Sequence, residues 1–177
     1  MMGSVRGIMR SKKVSVKRRR GFTLIEMILV IASLATFLAL VFGIYKTKVE
    51  PARWSSNMYQ KFQSVVAALE DAKSANGGGF PEASDVDLSS TTAPTDPKAK
   101  LVWSAVTGGM GDPSLVGWTY TCSGGNLDIT VNISDKPSTG AATVFINKVI
   151  NNTPFQLQSG DETSDTVTFR RTGVVCN

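Results

Sequence analysis

Few residues in this chain can do chemistry, and their types limit what it can be. The 177 residues include no histidine, so the side chain that most often serves as general base or metal ligand near neutral pH is missing. There are two thiols, Cys122 and Cys176, too few to build a closed metal site without histidine partners. No phosphate-binding glycine loop, no Gly-x-Ser-x-Gly elbow and no close pair of carboxylates beside a nucleophile occurs. Glu70-Asp71 reads as the solvated face of a helix. Asn132-Ile133-Ser134 and Asn151-Asn152-Thr153 fit glycosylation acceptors, but such matches are common by chance. The pattern argues against an enzyme, and no cofactor or metal is expected. One carboxylate needs its own account. Glu26 is the single charge in Phe22–Tyr45, FTLIEMILVIASLATFLALVFGIY.

As an α-helix those 24 residues extend about 36 Å at ~1.5 Å per residue, enough to cross a hydrocarbon core of about 30 Å. Apolar side chains occupy every face, so the helix must be surrounded by lipid or by other copies of itself. A carboxylate there costs on the order of 3 kcal/mol. It is tolerated if it reaches the interface near the helix end or if it finds a partner. Eight of the 19 basic residues, from Arg6 to Arg20, precede the segment with no acid among them. Residues 22–177 then hold 11 basic and 14 acidic side chains, a formal charge of −3, so the positive net charge of +5 comes entirely from the +8 of residues 1–21. A basic run against a long apolar stretch marks a membrane-targeting segment whose positive flank stays cytoplasmic, rather than a nucleic-acid-binding tail. A secretory signal peptide would have an apolar region of about 7–15 residues and then a small-x-small cleavage site. Here Lys46-Thr47-Lys48-Val49-Glu50 follows instead. Arg19-Arg20 fits the start of a twin-arginine signal, but the same cleavage site is missing.

The run Lys17-Arg18-Arg19-Arg20-Gly21-Phe22-Thr23-Leu24-Ile25-Glu26, continued by MILVIASLA, resembles the N-terminal signature of type IV pilins and type II secretion pseudopilins. The resemblance implies a basic leader, residues 1–21, that a prepilin peptidase removes by cutting after Gly21 on the cytoplasmic side. It implies N-methylation of Phe22 as the mature N-terminus, and a docking role for Glu26 at the fifth mature position. It further implies that inner-membrane pilus assembly machinery polymerises the subunits into a helical filament. The precursor then lies in the inner membrane with its head outside the cytoplasm, and the product is an extracellular pilus. The charge arithmetic agrees. Cleavage creates an α-amino group with a reference pKa near ~8, largely protonated at neutral pH. Phe22 and Glu26 are four residues apart and share a helix face. In a helical stack the Glu26 carboxylate of one subunit can meet the Phe22 ammonium of the next, which selects register more than it adds stability.

Beyond the anchor, Gly43 and Pro51 are positions where a continuous helix loosens or kinks. Many pilins have a helix-breaking proline where Gly43 stands. Trp54, Met58, Phe62, Val65, Leu69 and Ala72 form one apolar stripe at intervals of three or four, predicting a core-facing helix over 52–75. Asn76-Gly77-Gly78-Gly79 ends it. Residues 80–99 read as a surface loop. Strands are expected at Leu101–Val106, Trp118–Cys122, Leu127–Ile133, Phe155–Gln158 and Thr166–Arg171, with Gly173–Cys176 a candidate last strand. Ala141–Ile150 fits a helix or a strand equally. The expected fold is α+β, the type IV pilin fold, a long N-terminal helix with a C-terminal antiparallel sheet head. Its parts are a leader at 1–21, a transmembrane and filament-core helix at 22–51, an amphipathic continuation at 52–76 and the head at 77–177.

In a head that leaves the cytoplasm, Cys122 and Cys176 are expected to form a disulfide, as in many pilins, where one closes a C-terminal region. In the chain-entropy picture this contributes roughly 4 kcal/mol. The function expected is a structural pilus subunit, with attachment, aggregation, DNA transfer and motility all open. The long leader resembles type IVb pilins and Phe22 resembles type IVa. Starting at Met9 instead of Met1 would shorten the leader to residues 9–21. The alternatives are a minor pilin or pseudopilin, and a monomeric membrane-anchored adhesin or binding domain. Glu26 argues against a tip subunit, and the cysteine pair argues mildly against the major pseudopilin, which typically uses calcium in that region.

Overall fold

The computed structural model describes residues 23–177; Gly21, Phe22 and the basic run lie outside the described residues. By internal contacts the chain divides between Val41 and Phe42 into two units. The first is formed by most of α1 (Leu24–Ile44). None of the described residues of α1 is buried. Its large apolar side chains are exposed by 44% at Leu38 and Val41 up to 82% at Leu24.

In the second unit the helical path goes on through a π-helical turn, Tyr45–Val49, into α2 (Glu50–Ala75). The loosening expected around Gly43 and Pro51 takes the form of this widened turn between them. Pro51 falls in the first turn of α2, where its missing N–H breaks least. The stripe behaves as its spacing requires. Met58, Phe62, Val65, Leu69 and Ala72 are buried, and Trp54 is half-buried. Asn76 ends the helix, and its amide bonds the carbonyls of Ala72 and Lys73.

The sheet packed on α2 contains five antiparallel strands in the order β1-β2-β3-β5-β4. They are β1 (Ala83–Asp87), β2 (Thr119–Ser123), β3 (Asn126–Asn132), β4 (Gln156–Ser159) and β5 (Thr166–Thr172). Along β3 the alternation holds strictly: Leu127, Ile129 and Val131 are buried, and the polar residues between them are half-exposed. Directly opposite one another on β3 and β5, Asp128 accepts two bonds from Arg170, each 2.7 Å, a paired fork that pins the register. Aromatic rings join helix to sheet. Phe62 meets Phe155 and Phe169 edge-on at 5.4 and 5.2 Å, and Phe145 meets Phe169 at 5.7 Å.

Three sequence expectations need correction. Leu101–Val106, expected as a strand, lies inside α3 (Pro97–Thr107). Asp96 caps it by accepting the Ala99 N–H at 2.7 Å, Pro97 opens it, and Gly108 closes it in the left-handed conformation. These end signals outweigh the strand-like Leu101-Val102-Trp103 run. The loop expected at 80–99 contains strand β1, whose Val86 is buried, as is Leu88 beyond it. Gly173–Cys176 is no ladder strand: it makes a single parallel bridge, Cys176 to Phe80. The ambiguous Ala141–Ile150 is helical, within α4 (Thr139–Asn152), capped by Ser138.

Candidate functional site

Glu26 occupies the third position of α1, and Thr23 is the residue that precedes the helix. The Thr23 N–H donates to the Glu26 carboxylate at 2.7 Å and its hydroxyl does so at 3.1 Å, while the Glu26 N–H donates back to Thr23 Oγ1 at 3.3 Å. This is a reciprocal capping box, and the negative charge lies at the positive end of the helix dipole. The single chain therefore gives Glu26 partners at the backbone level. Thr-x-x-Glu is a readable helix-start pattern, and Thr23 is a site residue that the sequence reading passed over. Deeper in α1 the two hydroxyls satisfy themselves. Ser33 donates to the Val30 carbonyl at 2.9 Å and Thr36 to the Ser33 carbonyl at 2.8 Å. They therefore ask little of the surroundings. Among the described residues, Leu24–Ala75 is the one helix with a stretch long and apolar enough to cross a membrane.

The π-helical turn carries interface chemistry. Tyr45, Lys46 and Lys48 follow the apolar run, and the Arg53 guanidinium lies 5.9 Å from the Tyr45 ring centre. Aromatic and basic side chains of this kind favour the boundary between hydrocarbon and water.

At the far end of α2 the C-terminal residues are clasped. Cys122, fully buried on β2, is bonded to Cys176 with Cα atoms 5.8 Å apart. Phe80 N–H donates to the Val175 carbonyl at 2.7 Å and Asn177 N–H to the Phe80 carbonyl at 3.0 Å. The Asn76 side-chain amide donates to the Asn177 carbonyl and side chain, each at 2.9 Å. Gly79 is required here, because a Cβ at that position would overlap the Asn177 side chain. Replacing both cysteines by serine is expected to cost about 2–4 kcal/mol. Thermal unfolding of the full chain with and without reductant checks it, and equal midpoints would contradict it.

Glu70 departs from the expected solvated face, whereas Asp71 is exposed. Its two oxygens take Arg171 Nη1 of β5 at 2.7 Å and Lys73 Nζ at 3.0 Å. Both cations also lie over the Phe80 ring, at 5.8 and 5.0 Å from its centre. Partial burial pushes the Glu70 carboxyl upward, but the hydrogen bonds from Lys73 and Arg171 outweigh it and hold the pKa below its usual 4.5. A carboxyl depressed on folding stabilises above its unfolded pKa, and that contribution fades as pH falls through the folded value. Glu70→Gln is thus expected to flatten the loss of thermal stability below about pH 4.5, while wild type falls more steeply. Parallel curves would contradict the pairing.

Residues 16–42 match the family model described as the prokaryotic N-terminal methylation motif. No curated protein and no solved structure gives a significant match to the chain. The motif covers Lys17–Arg20, the Gly21–Phe22 junction, Glu26 and most of α1. Together with a long N-terminal helix and a five-stranded antiparallel sheet, it supports a type IV pilin-like protein whose apolar helix suits a membrane-anchored precursor.

Proposed function

We propose that this chain is a structural subunit of a type IV pilus, cut after Gly21 by a prepilin peptidase and polymerised through its N-terminal helix. The observation that carries the reading is a helix with large apolar residues exposed on all sides, entered through a methylation motif and joined in sequence to a sheet head with its own buried core. Such a helix is stable only in lipid or against its own copies, and a pilin uses both in turn. In this reading residues 1–21 are the leader, 22–51 the membrane and filament-core segment, 52–76 the spine of the head and 77–177 its sheet. Phe22 carries the methylated amino group, and Glu26 leaves its capping partner to meet the Phe22 ammonium of a neighbour. The cost of the exchange is low because the two charge-assisted bonds from Thr23 give way to an ion pair with the neighbour's ammonium. The Cys122–Cys176 clasp keeps the last residues attached to the head outside the cell, where no reductant opens it. Shearing surface appendages from cells that express the chain and identifying their main component tests this. Filaments composed of this chain support a pilin. Its recovery as a membrane-bound monomer with no filaments would replace that reading by an anchored binding domain.

A further inference from the structure

Where the apolar helix gives way to the head, the second unit contains a groove of about 250 Å³ between the start of α2 and the start of α4. This is far more than the roughly 10–15 Å³ one water needs. We propose that this groove holds the phosphate headgroup of an anionic phospholipid while the precursor resides in the membrane. Lys48 and Lys148 line it, and neither makes an ion pair among the described residues. Lys148 Nζ donates to Ser56 Oγ at 3.0 Å, which leaves the Ser56 hydroxyl proton free to donate to an anion. Glu50, the acid of the same stretch, does not line the groove.

Depth along the chain agrees with the charge. Lys48 stands four residues beyond Ile44, the end of α1, which is about 6 Å at ~1.5 Å per residue. The headgroup layer adds about 5–8 Å to each side of the hydrocarbon core. Lys48 therefore stands at the level where phosphates lie, and Lys148 lines the same groove. Pro51 and the half-exposed Val144 form an apolar wall that suits the glycerol ester and the first methylenes of an acyl chain. A second copy docked symmetrically on the same groove would bring its own two lysines against these two, which is unfavourable.

The inference rests on residues 22–45 being a membrane span. Carbonate extraction of membranes containing the full chain tests that premise separately. Release into the supernatant sinks both, whereas retention leaves the groove to be judged by itself. The direct test is native mass spectrometry of the full chain from nonionic micelles, titrated in turn with phosphatidylglycerol, phosphatidylcholine and inorganic phosphate. One saturable phosphatidylglycerol is expected. Lys48→Gln with Lys148→Gln should weaken it about 30-fold, since each lysine near an anionic surface is worth about 1 kcal/mol. Lys98→Gln with Lys100→Gln, exposed on α3 and outside the groove lining, should change it less than about threefold. Unchanged thermal midpoints of both double variants show that folding is not at issue. Equal binding of phosphatidylcholine, equal binding of inorganic phosphate, equal loss in both double variants, or lipid-free dimers would each overturn the proposal.

Discussion

Glu26→Val is expected to leave cleavage after Gly21 intact and to abolish filaments. The substitution makes the span more apolar, removing an insertion cost on the order of 3 kcal/mol, so the precursor should enter the membrane at least as well as wild type. The basic run and the Gly21–Phe22 junction are unchanged. The valine variant would keep the backbone N–H of this position on Thr23 Oγ1 but would lose the two bonds that Thr23 donates to the carboxylate, a cap worth about 0.5–2 kcal/mol. That loss is small beside the length of α1, so the helix itself should persist. Assembly would fail because the ammonium of each incoming subunit would be brought into an apolar stack with no counter-charge. Glu26→Gln separates the two roles of the side chain, since glutamine completes a capping box but carries no charge. It should fail like valine. Yields of sheared filaments, measured beside the processed fraction in membranes, give the result. Normal filaments from the Glu26→Gln variant would transfer the role of this side chain from charge to cap.

Phe62→Ala is expected to remove about 3–5 kcal/mol from the stability of the head. The ring is fully buried midway along α2 and touches Phe155 and Phe169 edge-on, so truncation leaves a cavity where helix and sheet meet and also forfeits two aromatic pairs. Against a total of about 5–15 kcal/mol for an ordinary domain, this is about a fifth of the stability or more, and the midpoint should fall by roughly 10–20 °C. Gln60→Ala, on the exposed side of the same helix, should change stability by less than about 0.5 kcal/mol. A loss below about 1 kcal/mol at Phe62 would mean that α2 and the sheet do not share one core.

The same pair of elements explains what could be read from the sequence. Phe62 belongs to a stripe whose spacing of three and four is a local property of one helix, and Asp128-Ile129-Thr130-Val131-Asn132 alternates as one strand must. Both were legible because period follows from backbone geometry. Leu101-Val102-Trp103 misled, since apolar β-branched and aromatic residues suit a buried helix face as well as a strand. The decisive signals stood at the ends, in Asp96-Pro97 and Gly108. β1 was missed because its pairing is decided at long range: Val86 is in register with Tyr120, across α3. The Glu70–Arg171 pair joins residues 101 positions apart, and no local pattern announces it. At the N-terminus the charge and motif of Glu26 were readable, while its engagement with Thr23 depended on noticing a four-residue capping pattern beneath a louder hydrophobic one.

The proposed pilin role follows from the processing of one junction, cleavage after Gly21 with methylation of the new terminus at Phe22. Intact mass together with N-terminal sequencing of the chain recovered from surface filaments measures it directly. The prediction is a protein that begins at N-methylated Phe22 and retains the Cys122–Cys176 bond. A protein that still begins at Met1 or Met9 would contradict it.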